Sequence, residues 1–196
     1  MSKYLRYGII EDVDTVRRIP FGMLWGVKVS LTPLTWLGPL VFFALRLLVG
    51  LFATSMSLSE WFYDALLFTI AVEAATPLHA FGHILSGKLV HSPMDELLIT
   101  ATRDVNLYYG DQSTVPSYVH LGRALGGPVF NLLIAGLLYA LLPLVPAGVG
   151  LTILDRIASM NLFFGIGGFL PLPSVDGEVI WRELLRPLRN AVRAKK

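Results

Sequence analysis

His79 and His83 stand four residues apart in the run His79-Ala80-Phe81-Gly82-His83. On a helix this spacing puts two imidazoles on one face, about a turn apart, as in the H-E-x-x-H sites that grip zinc. The glutamate of that pattern is missing, and Ala80 stands in its place. Tetrahedral catalytic zinc takes three protein ligands and keeps a fourth position for water. Asp176 is the best-placed third ligand. It lies in the turn Pro171-Leu172-Pro173-Ser174-Val175-Asp176-Gly177, where a helix broken by two prolines can point a carboxylate into the protein interior. The chain has no cysteine, which excludes disulfides, iron–sulfur clusters, cysteine zinc sites and thiol catalysis.

Other polar residues in apolar sequence have plainer readings. Glu73 precedes Ala80 by seven residues, about 10 Å along a helix, and is expected to pair with a basic group such as Arg46. Asn131 and Asn161 fit interhelical hydrogen bonding. His91, His120, Glu96 and Asp104 read as loop residues, and Trp25, Trp36, Trp61 and Trp181 as interfacial anchors at span ends. A transporter that used Glu73, Arg46, Asp155 and Arg156 as a charge pathway is disfavoured, because no broken inverted repeat is visible.

The elements that must position these residues are apolar. Of 196 residues 54% are hydrophobic and 15% charged, with a mean hydropathy of +0.62, whereas a soluble domain carries about 25% charge. The composition predicts an all-α polytopic membrane protein. Runs at about 31–53, 62–90, 124–145 and 148–172 approach or exceed the ~20 residues that cross a bilayer as helix, giving about four transmembrane helices. Residues 178–196 alternate apolar side chains with Arg182, Arg186, Arg189 and Arg193, a pattern that predicts an amphipathic C-terminal helix on the membrane surface. The expected division is an N-terminal segment at 1–30, a membrane core at 31–177 with a polar loop at about 91–123, and the amphipathic helix. Alternation in Leu97 to Leu107 allows a short strand or hairpin within that loop. A formal net charge of +2 sets up no field for nucleic acid. Lys and Arg gather before the first span, between spans two and three and after Gly177, so the positive-inside rule makes both termini and the 91–123 loop cytoplasmic. Gly-rich spans fit packing within one chain or between two, so oligomeric state stays open.

In order and spacing, the chain resembles the site-2 protease family of intramembrane zinc metalloproteases. Residues 79–83 match its H-E-x-x-H motif except at Ala80. Gly127-Pro128-Val129-Phe130-Asn131 matches its G-P-x-x-N feature, and the stretch from Gly168 to Gly177 its N-x-x-P-x-x-x-L-D-G motif, with Gly168 in place of the asparagine. The stretch from Ile19 to Val29 also resembles what precedes the first helix in prokaryotic members. The resemblance implies one zinc ion held by His79, His83 and Asp176 in a prokaryotic inner membrane, and cleavage of transmembrane substrates. It further implies impaired hydrolysis, since the residue at position 80 is the general base, worth ~10²–10⁴-fold. Asn131, Asn161 and Gly168 become candidates for the substrate groove or for support of the ligands. The alternative is a non-catalytic pseudoprotease that binds or shields a membrane partner. Two independent departures favour a naturally altered site over an inactivated variant.

Overall fold

Long apolar runs with few breaks make the bundle, and short polar-flanked segments make a sheet at one end of it. The computed structural model describes residues 12–50, 52 and 57–187. Five helices are present among these: α1 (Leu37–Gly50), α2 (Leu58–Leu89), α3 (Ser117–Leu141), α4 (Val149–Gly167) and α5 (Asp176–Leu184). Three are long and apolar enough to cross a membrane: α2, α3 extended to Leu144 by a 3-10 turn, and α4. The all-α expectation therefore holds for the membrane part.

Four strands, β1 (Ile19–Leu24), β2 (Val27–Leu31), β3 (Glu96–Ile99) and β4 (Asp104–Leu107), form one sheet in that order. The β1/β2 and β3/β4 pairs are antiparallel, and β2/β3 is parallel. A parallel pair needs a long crossover, here α1 and α2. The β3–β4 hairpin is the one allowed by the alternation in 97–107, so Glu96 and Asp104 are strand residues instead of loop charges. The β1–β2 hairpin was not anticipated. Its turn places Trp25 at φ 50° and Gly26 at φ 82°, the positive pair that two-residue hairpins require.

The first helix begins later than its apolar run, because residues 27–31 are strand and Thr32 and Thr35 bond to the Ile99 carbonyl of β3. Helix α2 starts with a capping box between Ser57 and Glu60 and continues through Pro77 for 32 residues, about 48 Å at 1.5 Å per residue. It is the central element, touching α1, α3, α4 and β4. Its Gly82 lies against the backbone of Gly126 in α3, where a Cβ on either glycine would collide, so the two helices cross in near backbone contact.

The expected pairing of Glu73 with Arg46 is not made. Arg46 of α1 bonds Asp64 of α2 at 2.6 Å, Arg156 of α4 bonds the other Asp64 oxygen at 2.7 Å, and Glu73 is exposed. That bridge also explains why α4 runs unbroken through Asp155 and Arg156. Helix α5 packs Ile180 and Glu183 against α3, with the Ser117 hydroxyl donating to Glu183, and leaves Trp181, Leu184 and Leu185 exposed. The rest of the expected amphipathic segment, 188–196, lies outside the described residues.

Candidate metal centre

The i, i+4 spacing on α2 turns His79 and His83 toward α3, and Asp176 reaches them from the first turn of α5. Among the described residues these three form the one group of His, Cys, Asp or Glu that could hold a metal ion, their donor atoms lying within 4.8 Å of one another. His79 Nε2 is 3.0 Å from Asp176 Oδ2 and 3.1 Å from His83 Nε2, and His83 Nε2 is 3.4 Å from Asp176 Oδ1. A tetrahedral zinc with bonds of about 2.0–2.1 Å needs its donors about 3.3 Å apart. The separations fit.

The tautomers fit as well. Asn131 donates its amide hydrogens to Asn161 Oδ1 at 2.7 Å and to the Ala75 carbonyl at 3.3 Å, so its Oδ1 is left to accept from His79 Nδ1–H at 2.6 Å. His83 Nδ1–H donates to the Arg123 carbonyl at 2.8 Å. With both Nδ1 atoms committed to acceptors, each ring in its neutral form offers its Nε2 lone pair toward the other ring and the carboxylate. Lone pairs so close call for a cation between them, and an acceptor behind each ring is the usual support for a metal-binding histidine. Gly127 faces the pair, and a Cβ there would strike both Nε2 atoms. That glycine keeps the centre open.

Asn131 and Asn161 thus come to the centre, Asn131 directly and Asn161 through it, both fully buried. Gly168 lies at the end of α4 against Pro128, where a side chain would meet the proline ring first. Ala80 is 3% exposed and packs with Ile84, Val27, Met94 and Leu97, beside Tyr108, so α2 meets the sheet at this position through an apolar cluster.

Arg123 is a contributor that sequence reasoning passed over. Its carbonyl orients His83, while its guanidinium stacks on Tyr108 at 3.9 Å from the ring centre and bonds Ser92 and Gln112. The only sequence signal was an arginine inside the helix that carries Gly126-Gly127-Pro128. Burial pushes the Tyr108 hydroxyl up to about 12, so it is a proton donor throughout the ordinary pH range. Across the sheet Arg103 reaches the Ser174 carbonyl at 3.4 Å, tying the β3–β4 turn to the loop that carries Asp176.

A solved structure shares this arrangement of elements: the site-2 protease from Methanocaldococcus jannaschii superposes with a TM-score of 0.60 over 86% of this chain and 72% of that one, at 18% identity. The chain has the site-2 protease fold. Neither a protein-family profile nor a curated protein matches it.

Proposed function

We propose that this protein is an intramembrane metal centre of the site-2 protease type, in which His79, His83 and Asp176 hold one zinc ion beside a groove that receives a transmembrane segment. Peptide hydrolysis is impaired because Ala80 occupies the place of the general base. The observation that carries this reading is the convergence of three lone-pair donors at tetrahedral spacing, each imidazole held in the metal-binding tautomer. Zinc, when bound, supplies Lewis-acid polarisation of a scissile carbonyl and a more acidic water. The chain's own residues hold the histidine rings through Asn131 and Arg123, keep space open at Gly127, and exclude bulk water with apolar helices. A methyl group at position 80 accepts no proton, which removes a contribution of ~10²–10⁴-fold. The distribution of Lys and Arg supports an inner-membrane location with cytoplasmic termini.

A second reading is favoured by the apolar packing around Ala80: a non-catalytic protein that retains the groove and shields a membrane partner. It requires partner retention without cleavage, insensitive to a chelator.

The test is zinc per purified chain in the wild type, His79→Ala and Asp176→Ala, together with cleavage of a single-span reporter by Ala80→Glu. Near-stoichiometric zinc, lost in both ligand variants, is expected, and Ala80→Glu should cleave at least tenfold faster than the wild type. Absence of zinc from the wild type would leave only the fold and favour the partner-binding reading.

A further inference from the structure

Strand β4 forms an edge of the sheet, and its side chains alternate. Val105 and Leu107 are buried with Val13 and Leu98 on the face away from α2. Asp104, Asn106 and Tyr108 therefore lie on the opposite face, where Tyr108 and Ile99 pack against the cluster that contains Ala80. Asp104 sits directly across from Ile99, so its Cβ is about 5 Å from that residue's on the α2 side of the sheet. The neighbouring Arg103 reaches the Ser174 carbonyl, two residues before Asp176. Asp104 thus lies on the face of the sheet that packs against α2, the helix that bears the two histidines.

Among the described residues, no hydrogen bond or ion pair engages the Asp104 carboxylate. A half-buried carboxylate without a partner is costly and is a common mark of a functional position. Beside it, Asn106 Oδ1 is buried without a partner as well. The groups whose charges reach Asp104 are Glu73 and His83 of α2 and its own neighbour Arg103. Burial first, then Glu73, raise its carboxyl to about 7, against opposing contributions from His83 and Arg103. Proton exchange near neutral pH suits a general base.

We infer that Asp104 is the proton acceptor of the centre, supplying from the sheet the carboxylate that position 80 of α2 lacks. The inference rests on the metal-centre reading and adds a catalytic residue to it. In the step it implies, Asp104 takes one proton from the attacking water as the water oxygen bonds to the scissile carbonyl carbon. It returns that proton to the amide nitrogen as the C–N bond breaks. The second water proton stays on the new carboxyl group and leaves to solvent. A base carried on another element is less well placed than one beside His79, so the wild type turns over slowly.

The experiment uses the full chain, zinc-loaded and reconstituted with a single-span reporter, in the wild type, Asp104→Asn, Asp104→Glu, Ala80→Glu and the Ala80→Glu/Asp104→Asn double variant. Asp104→Asn should retain zinc and lose at least tenfold in cleavage, together with the rise in rate that accompanies ionisation of that carboxyl, which the cation moves below its metal-free value of about 7. Asp104→Glu should recover part of the rate, and the double variant should match Ala80→Glu. A second reading of the same variants needs no turnover. Carboxyl infrared difference spectra across neutral pH should contain a band absent in Asp104→Asn, and zinc should weaken that carboxyl's proton affinity at least tenfold, as a nearby cation must. Equal cleavage by wild type and Asp104→Asn overturns the inference, as does a band that zinc leaves unmoved. Cleavage by Ala80→Glu with none by the wild type overturns Asp104 and leaves the metal-centre reading standing. Zinc-loaded protein that never cleaves, Ala80→Glu included, overturns the hydrolytic reading and this inference with it.

Discussion

Asn131 shows how much one buried side chain does here. Its oxygen sets the His79 tautomer, and its amide is spent on Ala75 and Asn161. Asn131→Ala removes the acceptor behind a ligand, and supporting groups of this kind are worth 10–100-fold in metal affinity. Zinc competition with a chelator should show weakening in that range, with Asn161→Ala weaker in effect because it acts through Asn131. Asp104 makes a prediction about stability. With its carboxyl raised from 3.8 to about 7, the folded protein holds a proton between about pH 4 and 7 that the unfolded chain has released. Stability therefore falls as pH rises through that window and stays lower above it. In zinc-free protein, Asp104→Asn should melt like the wild type in detergent at pH 4 and be more stable at pH 8, by on the order of 2 kcal/mol given the partial exposure of the group.

Among the elements, the α2–α3 crossing sets the centre. Gly82 and Gly126 let the backbones touch, and Gly127 leaves room in front of the imidazoles. Gly127→Ala places a methyl against both Nε2 atoms, so the variant should insert and fold but bind zinc at least tenfold more weakly, read by metal content after equal dialysis. Gly82→Ala acts differently, since its Cβ meets the Gly126 carbonyl and pushes the helices apart. A lowered melting temperature should accompany its loss of zinc.

For the molecule as a whole, Asp64 is the point where three helices of the bundle meet. It accepts from Arg46 and Arg156 at once, and Arg46 also lies over the rings of Trp61 and Phe68. Removing one partner of a buried ion pair costs about 3–5 kcal/mol because the remaining charge is stranded. Asp64→Ala leaves two partly exposed guanidiniums without their carboxylate and should destabilise the bundle by less than that, on the order of 1–3 kcal/mol, measured by denaturant unfolding in detergent. Replacing all three residues by apolar ones should recover most of the loss, since what is costly is the unpaired charge.

The residue types and their order determined a good deal alone. An H-x-x-x-H on a continuous apolar run forces two imidazoles onto one helix face, because helix geometry is local, and a Pro-rich break followed by Asp176 forces the chain to turn. Three of the four long runs made helices long enough to span, for the same local reason, while the first gave its start to β2 and formed the shorter α1. The tertiary structure decided what depends on residues distant in sequence. Asp64, not Glu73, pairs with Arg46, because pairing follows the packing of α1 and α4 on α2. The β1–β2 hairpin was hidden because Pro20 and Gly22 obscure its alternation and its partner β3 lies beyond two helices. The backbone carbonyl of Arg123 left no mark in the sequence at all, since any residue carries one. Asp104 read as a loop charge until the sheet gave it a face. Whether a carboxylate can serve a metal centre is a matter of which side of a strand it occupies and what that side packs against, and only the folded chain settles that.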